Sequence, residues 1–106
     1  MFIYLIYKPK SDVYKIGVSK NPDFRIKQLQ TGSEEVLELI TKVKTNYGYK
    51  LEKYLHRYYK SVKQEGEWFK LTDSDILLFE DLCSNQERNL KVLTENNLYI
   101  NSLKDW

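Results

Sequence analysis

"MFIYLIYKPKSDVYKIGVSK", residues 1–20, is the stretch whose reading decides the fold. An apolar, tyrosine-rich run ends at Tyr7, Pro9 and Ser11-Asp12 supply turn chemistry, and a second run leads to Gly17 and Val18. In the first run Phe2, Tyr4 and Ile6 alternate with Ile3, Leu5 and Tyr7, so both faces are covered, as on an inner strand. In the second, Tyr14, Ile16 and Val18 oppose Val13, Lys15 and Gly17. The expected unit is a hairpin. Its tyrosines pose a chemical question, because a phenol buried on an inner strand needs a hydrogen-bond partner where Val, Ile or Phe would need none. Either the rings line a wet face, or at least one hydroxyl takes part in chemistry.

Outward from the hairpin, "NPDFRIKQLQTG" (21–32) reads as a short helix with Asn21 as N-cap, Pro22 at the first helical position, Asp23 favourable to the helix dipole and Gly32 near the C-cap. Phe24 and Leu29 are its apolar residues, with Arg25 on a neighbouring face. "VLELITKVK" (36–44) alternates and is rich in branched residues, so a third strand is expected. "NYGYKLEKYLHRYYKSV" (46–62) returns to helical spacing along Leu51, Leu55, Tyr58 and Val62, and reads as the longest well-patterned helix. "GEWFKL" (66–71) closes the sheet as a short strand. Thr72 or Ser74 then caps a helix carrying Ile76, Leu77, Phe79, Leu82 and Cys83, and a further amphipathic piece runs from Asn85 to about Leu93. The last ten residues are weakly patterned. This order predicts an α+β fold: a small, mainly antiparallel, three- to four-stranded sheet flanked by helices.

At 106 residues the chain is the size of one domain. With 42% hydrophobic and 30% charged residues it reads as globular and soluble, and no apolar run approaches the roughly 20 residues of a spanning helix. "MFIYLIY" is too short for a signal peptide and lacks its basic flank, so an intracellular, cytoplasmic location is expected. The lone cysteine, Cys83, excludes an internal disulfide framework or a multi-cysteine zinc site and falls in an apolar helical pattern, as a small buried hydrophobe would. A net charge of +2 is far from the excess of a nucleic-acid packaging protein, so any basic surface must be local. Alanine is absent while Lys, Tyr, Asn, Ile and Leu abound, a bias that suits an AT-rich coding sequence such as a phage or mobile element carries.

On the long helix Glu52, His56 and Tyr59 recur at i, i+4 and i+7, one step around from the apolar stripe, where a polar row can face a cleft. The plainer alternative is a solvated i, i+4 pair worth about half a kcal/mol. Beside this row Lys50, Lys53, Arg57 and Lys60 form a basic strip that is either an ordinary solvated face or a track for a phosphate backbone. A carboxylate-histidine pair alone falls short of a zinc site, which ordinarily has three protein ligands. Spacing supplies candidates here without deciding among them.

The order of the candidates decides. Tyr4 on the first strand, "YKIG" at 14–17, Arg25 in the next helix and Glu52 on the following one resemble the GIY-YIG nuclease superfamily. More narrowly, "IYLI", "YKIGVSKNPDFRIKQLQTG", "LEKYLHRYY" and "GEWFKL" are similar to the branch found in phage open reading frames and in meiotically up-regulated fungal proteins. The resemblance runs from Phe2 to about Leu71. It implies a nuclease core over 1–71, with 72–106 as a C-terminal helical extension packed on the same single domain.

What it further implies is a metal-dependent endonuclease that hydrolyses DNA phosphodiester bonds, with one Mg²⁺ or Mn²⁺ held by Glu52 and an oxygen shell completed by water and phosphate. Tyr4 would help to activate the attacking water, which requires a nearby cation or a proton relay because a free phenol has a pKa near 10. Arg25 would bind the phosphate as charge builds. Aligning the motif's glycine on Gly17 puts Lys15, not Tyr14, at the second tyrosine position, and strand alternation sets Lys15 opposite Tyr14; Lys15 therefore goes to the site and Tyr14, like Tyr7, to packing. Phe2 stands where the first motif has glycine, and Leu29 where a histidine or tyrosine often follows the arginine; His56 would supply the missing imidazole. Lys53, Arg57 and Lys60 would contact DNA. Trp68 and Phe69 would wall the site, with Glu67 as a second carboxylate, and a protein partner would supply the target choice that so small a core lacks. The alternative is a module that keeps the fold without turnover and binds nucleic acid or protein as an accessory or inhibitor.

Overall fold

The computed structural model describes residues 1–95. Strands β1 (Phe2–Lys8), β2 (Val13–Ser19), β3 (Glu38–Lys44) and β4 (Trp68–Phe69) form one antiparallel sheet in the order β3-β1-β2-β4, accompanied by helices α1 (Pro22–Thr31), α2 (Gly48–Tyr58) and α3 (Asp73–Glu95). This is the expected α+β architecture, with four strands and β1 on the inside. The β1–β2 turn is held by Asp12, whose φ of 54° lies in the left-handed region that Asp tolerates. The Asp12 carboxylate accepts from the Tyr7 hydroxyl at 2.9 Å and from Lys70 at 3.0 Å. Tyr7 stacks on the buried Tyr14 at 4.5 Å, so both rings do pack.

Alternation along β1 divides the interior into two clusters. Ile3 and Leu5 face α2 and α3, joining Ile16, Leu51, Leu55, Phe69, Phe79, Cys83 and Leu90, all fully buried, at the centre of the larger core. Tyr4 and Ile6 face the other way, toward Leu37 and the α1 residues Ile26 and Leu29. Cys83 is a free, buried thiol whose pKa burial pushes up to about 12, as a small core hydrophobe requires.

Several local expectations are corrected by packing. In α1 the buried stripe is Pro22, Ile26 and Leu29, at i, i+4 and i+7, so Phe24 falls off it and stays 58% exposed. The phase is set where Asn21 caps, accepting from the Phe24 N–H at 3.2 Å. In α2, Tyr59 rather than Tyr58 enters the core, because the helix ends at Tyr58 and a 3-10 turn over Lys60–Val62 redirects the chain. Tyr58 is left 57% exposed, and Tyr59 is removed from the polar row with Glu52 and His56. The longest helix is α3, not α2. The two pieces expected after Thr72 are one helix, since Phe79, Cys83, Gln86 and Leu90 continue a single buried stripe through Ser84-Asn85. Its start is a reciprocal box in which Asp75 N–H donates to Thr72 Oγ1 (3.1 Å) and Thr72 N–H donates to Asp75 Oδ2 (2.9 Å). The expected weakly patterned tail, 96–106, lies outside the described residues.

Candidate functional site

The site grows from the place where β4 stops. β4 pairs with β2 only at Tyr14↔Phe69 and Lys15↔Trp68, followed by one long bond from Ile16 N–H to the Glu67 carbonyl at 3.4 Å. Beyond it the outer edge of β2 still presents the Ile16 carbonyl and the Val18 N–H, and buried peptide groups require partners. Helix α2 meets this edge. Leu51 and Leu55, both fully buried, set its rotation, so that Glu52 and His56, each one residue further on and one turn apart, reach the edge. His56 Nε2 lies 2.8 Å from the Ile16 oxygen, and the Val18 backbone lies near enough to Glu52 to favour its ionised carboxylate.

A carbonyl only accepts, so His56 must donate through Nε2–H; in the neutral ring the lone pair is then on Nδ1. The ring sits edge-on to Phe69, with centroids 5.0 Å apart. Glu67, on the segment leading into β4, completes a group: one donor atom each from Glu52, His56 and Glu67 lie within 4.8 Å of one another. Burial pushes the Glu52 pKa above the ordinary carboxylate range and Glu67 adds to the push, while His56, the Val18 backbone and Lys15 oppose it.

From the other face of the sheet comes Tyr4, which pairs with Gly17. A Cβ at position 17 would stand 2.2 Å from the Tyr4 hydroxyl oxygen and 2.3 Å from Cζ, so the ring lies directly across the glycine. Any side chain there would block it. Gly17 is thus a gap in the side-chain layer of β2 through which a phenol rooted on β1 extends toward the outer edge. Arg25 of α1 is within hydrogen-bonding reach of the phenol, and the carboxylates of Glu67 and Glu52 act on it electrostatically. Burial dominates and raises the Tyr4 pKa, against the pull of Arg25.

Lys15 shares the face of Gly17, one pleat along. Its side chain is 11% exposed and its ammonium pairs with Glu67 Oε2 at 2.9 Å. The cation acting on Tyr4 is therefore Arg25, whereas Lys15 is paired with Glu67. Trp68 borders this corner, with Lys15 at 5.5 Å and Lys8 at 4.0 Å from its ring centroid. It also walls a neighbouring cleft of about 700 Å³ lined by Lys8, Lys10, Leu29 and Leu37, which contains none of Tyr4, Arg25, Glu52 or His56.

Tyr4, Arg25, Lys15, Glu52 and His56 are thus brought to one corner of the sheet, with Glu67 joining them. Lys50, Lys53 and Arg57 are exposed on α2, and Lys60 is exposed on the 3-10 turn that follows it. Sequence gave little weight to Glu67; its signal was a carboxylate immediately before the strand that pairs with Lys15. The Ile16 carbonyl and Val18 amide left no signal, being backbone groups.

These features define a small α+β domain whose polar, cation-accepting cluster is built on an interrupted sheet edge. The chain belongs to the T5orf172 domain family, a phage-associated family of nuclease-like domains whose model matches residues 1–83. The match takes in all four strands and the first half of α3. Neither the curated proteins nor the solved structures give a match to the chain. Among the described residues no helix is long and apolar enough to cross a membrane.

Proposed function

We propose that this protein is a small metal-dependent endonuclease of GIY-YIG type that hydrolyses DNA phosphodiester bonds at the interrupted edge of β2. The observation that carries the proposal is the convergence of side chains from both faces of the sheet: Tyr4 and Arg25 by way of the Gly17 gap, Glu52 and His56 by way of the unpaired edge. A core packed for stability alone has no need to bring a phenol, a guanidinium, an imidazole and carboxylates to one corner.

The donor set suits a divalent ion, since Glu52 is flanked by a second carboxylate and a ring nitrogen. Bound at Glu52, Mg²⁺ or Mn²⁺ would polarise the scissile phosphate and stabilise the departing 3′ oxygen. The guanidinium of Arg25 holds non-bridging phosphate oxygens by charge-assisted hydrogen bonds that strengthen as negative charge builds, a contribution of typically about 3 kcal/mol to the barrier. Tyr4 orients the attacking water, taking up the proton that water loses as it gives its own phenolic proton to solvent. With its pKa raised, it acts as a hydrogen-bonding relay rather than as a standing phenolate. His56, with its Nε2 proton committed to Ile16, has Nδ1 as the nitrogen that would serve as ligand or proton acceptor. Lys15 is placed to hold a phosphate oxygen on exchanging Glu67 for substrate. Lys53, Arg57 and Lys60 grip the DNA backbone without reading sequence, and a protein partner directs the target.

Pure protein incubated with supercoiled plasmid and Mg²⁺ or Mn²⁺ should nick it. Arg25→Ala and Glu52→Ala should each lower the rate about a hundredfold or more. Rates unchanged by both substitutions would overturn the assignment. Binding that survives EDTA, with no nicking at any metal concentration, would favour the non-catalytic binding module. Reversing charge at Lys53, Arg57 and Lys60 should weaken binding alike on all sequences and flatten its salt dependence.

A further inference from the structure

We infer that Glu52, His56 and Glu67 together form a three-residue site for a transition-metal ion, one that takes Mn²⁺ in preference to Mg²⁺. The inference deepens the nuclease reading by naming the ion class and two further ligands, and its test does not require turnover.

Geometry comes first. An ion about 2.0–2.2 Å from each donor holds any two donors no more than roughly 4.4 Å apart. One donor atom each from Glu52, His56 and Glu67 already lie within 4.8 Å of one another. Closing that gap takes a few tenths of an ångström, within the reach of a half-buried glutamate rotamer. Three donors from two elements, two of them a turn apart on α2, are a different proposition from a single carboxylate surrounded by water.

Two of the three are also oriented from outside the cluster. His56 spends Nε2–H on the Ile16 carbonyl, which fixes both the ring plane and the tautomer and leaves Nδ1 with the lone pair. Glu52 lies beside the Val18 backbone, which favours its ionised carboxylate. Both anchors belong to the same strand edge and exist because β4 ends where it does. A backbone carbonyl on the far nitrogen of a metal-binding histidine is the usual supporting arrangement for such a ligand.

Chemistry then selects the ion. Mg²⁺ demands an octahedral oxygen shell and dehydrates reluctantly, so an imidazole adds little for it. Mn²⁺ and the later divalent ions accept imidazole together with carboxylates. Lys15 bears on the set: its ammonium, 2.9 Å from Glu67 Oε2, competes with an arriving ion for the Glu67 carboxylate. Removing that competitor should therefore tighten metal binding, whereas removing a ligand should weaken it. A residue that only stabilises the fold would not show this opposite sign.

The test is a titration of the full chain with Mn²⁺, following the free ion by electron paramagnetic resonance, with Mg²⁺ as competitor. One Mn²⁺ should bind per chain and stay largely bound in a tenfold excess of Mg²⁺. His56→Gln and Glu67→Gln should each weaken binding about tenfold or more, and Lys15→Gln should strengthen it several-fold. Pulsed measurements on the unmodified protein should show coupling of bound Mn²⁺ to an imidazole nitrogen, a readout that needs no variant to fold. Absence of that nitrogen coupling, or displacement of Mn²⁺ by an equal concentration of Mg²⁺, overturns the inference. Nitrogen-coupled Mn²⁺ on a protein that leaves plasmid intact would uphold the site and reject the nuclease. Cleavage without nitrogen coupling would do the reverse.

Discussion

The outer edge of β2 is completed in two different ways along its length. At Tyr14 and Lys15 another strand completes it, and behind that half lies the larger core, with Phe69 fully buried. At Ile16 a side chain of α2, His56, completes it instead, with Glu52 beside Val18, and there the polar residues collect. The first half is ordinary sheet. The second half teaches that stopping a strand early turns its neighbour's peptide groups into anchor points, because each buried N–H and C=O must find a partner and a side chain that supplies one is held in place by doing so.

The largest effect expected from breaking this contrast is on the strand-completed half. Phe69→Ala should cost about 3–5 kcal/mol, seen as a large drop in the urea midpoint, because it empties the centre of the larger core. A loss no greater than that of a surface substitution would mean that β4 is not what closes this half.

Next comes Gly17→Ala, which strikes the other half. Its Cβ would collide with the Tyr4 ring, so Tyr4 must leave its position, at a cost of roughly 1–3 kcal/mol and with loss of cleavage. In a double-mutant cycle with Tyr4→Ala, the stability cost at position 17 should largely vanish, which assigns it to the ring. Additive costs would place the strain elsewhere.

A smaller effect, of opposite sign, sharpens the comparison. Burial and Glu67 hold the Glu52 carboxyl above its ordinary range, so its ionisation opposes folding. Stability from this group is fully present below the ordinary glutamate value and is lost as pH rises through the raised one. In EDTA, thermal melts of Glu52→Gln should lie above those of the parent at pH 7 and coincide with them near about pH 4. An unchanged or lowered melt at pH 7 would show that Glu52 rests there at no cost. The least effect is expected behind the closed half: Cys83, fully buried and with its thiol pushed up to about 12, should react with a disulfide reagent only after denaturant is added. Prompt labelling of the native chain would mean that this core opens readily.

Much of the fold was legible because its signals are local. Alternation in residues 2–7 and 13–18 identified the hairpin and put Lys15 and Gly17 on one face of β2, while the pairing of Tyr4 with Gly17 came from the strand register; Asn21-Pro22 and the Thr72 box marked helix starts. Phe24, Tyr58 and Tyr59 were misread because apolarity does not fix helical phase. Pro22 and packing against Tyr4 and Ile6 set the rotation of α1, and the 3-10 turn after Tyr58 exchanges which tyrosine goes inward. The break expected within α3 was misread for a related reason, since polar Ser84-Asn85 lies on the solvent side of an unbroken stripe.

What the sequence determined by itself was the set of residues and the face each one takes, since period two and period 3.6 are properties of the chain alone. What only the tertiary structure decided was their meeting. His56 lies 40 positions from Ile16, and no pattern of neighbouring residues encodes which carbonyl it will find. That contact exists because β4 pairs with two residues of β2 and then ends, and because Gly17 lets a phenol from the opposite face pass to the same edge. Both are consequences of how strands far apart in the chain come to lie side by side.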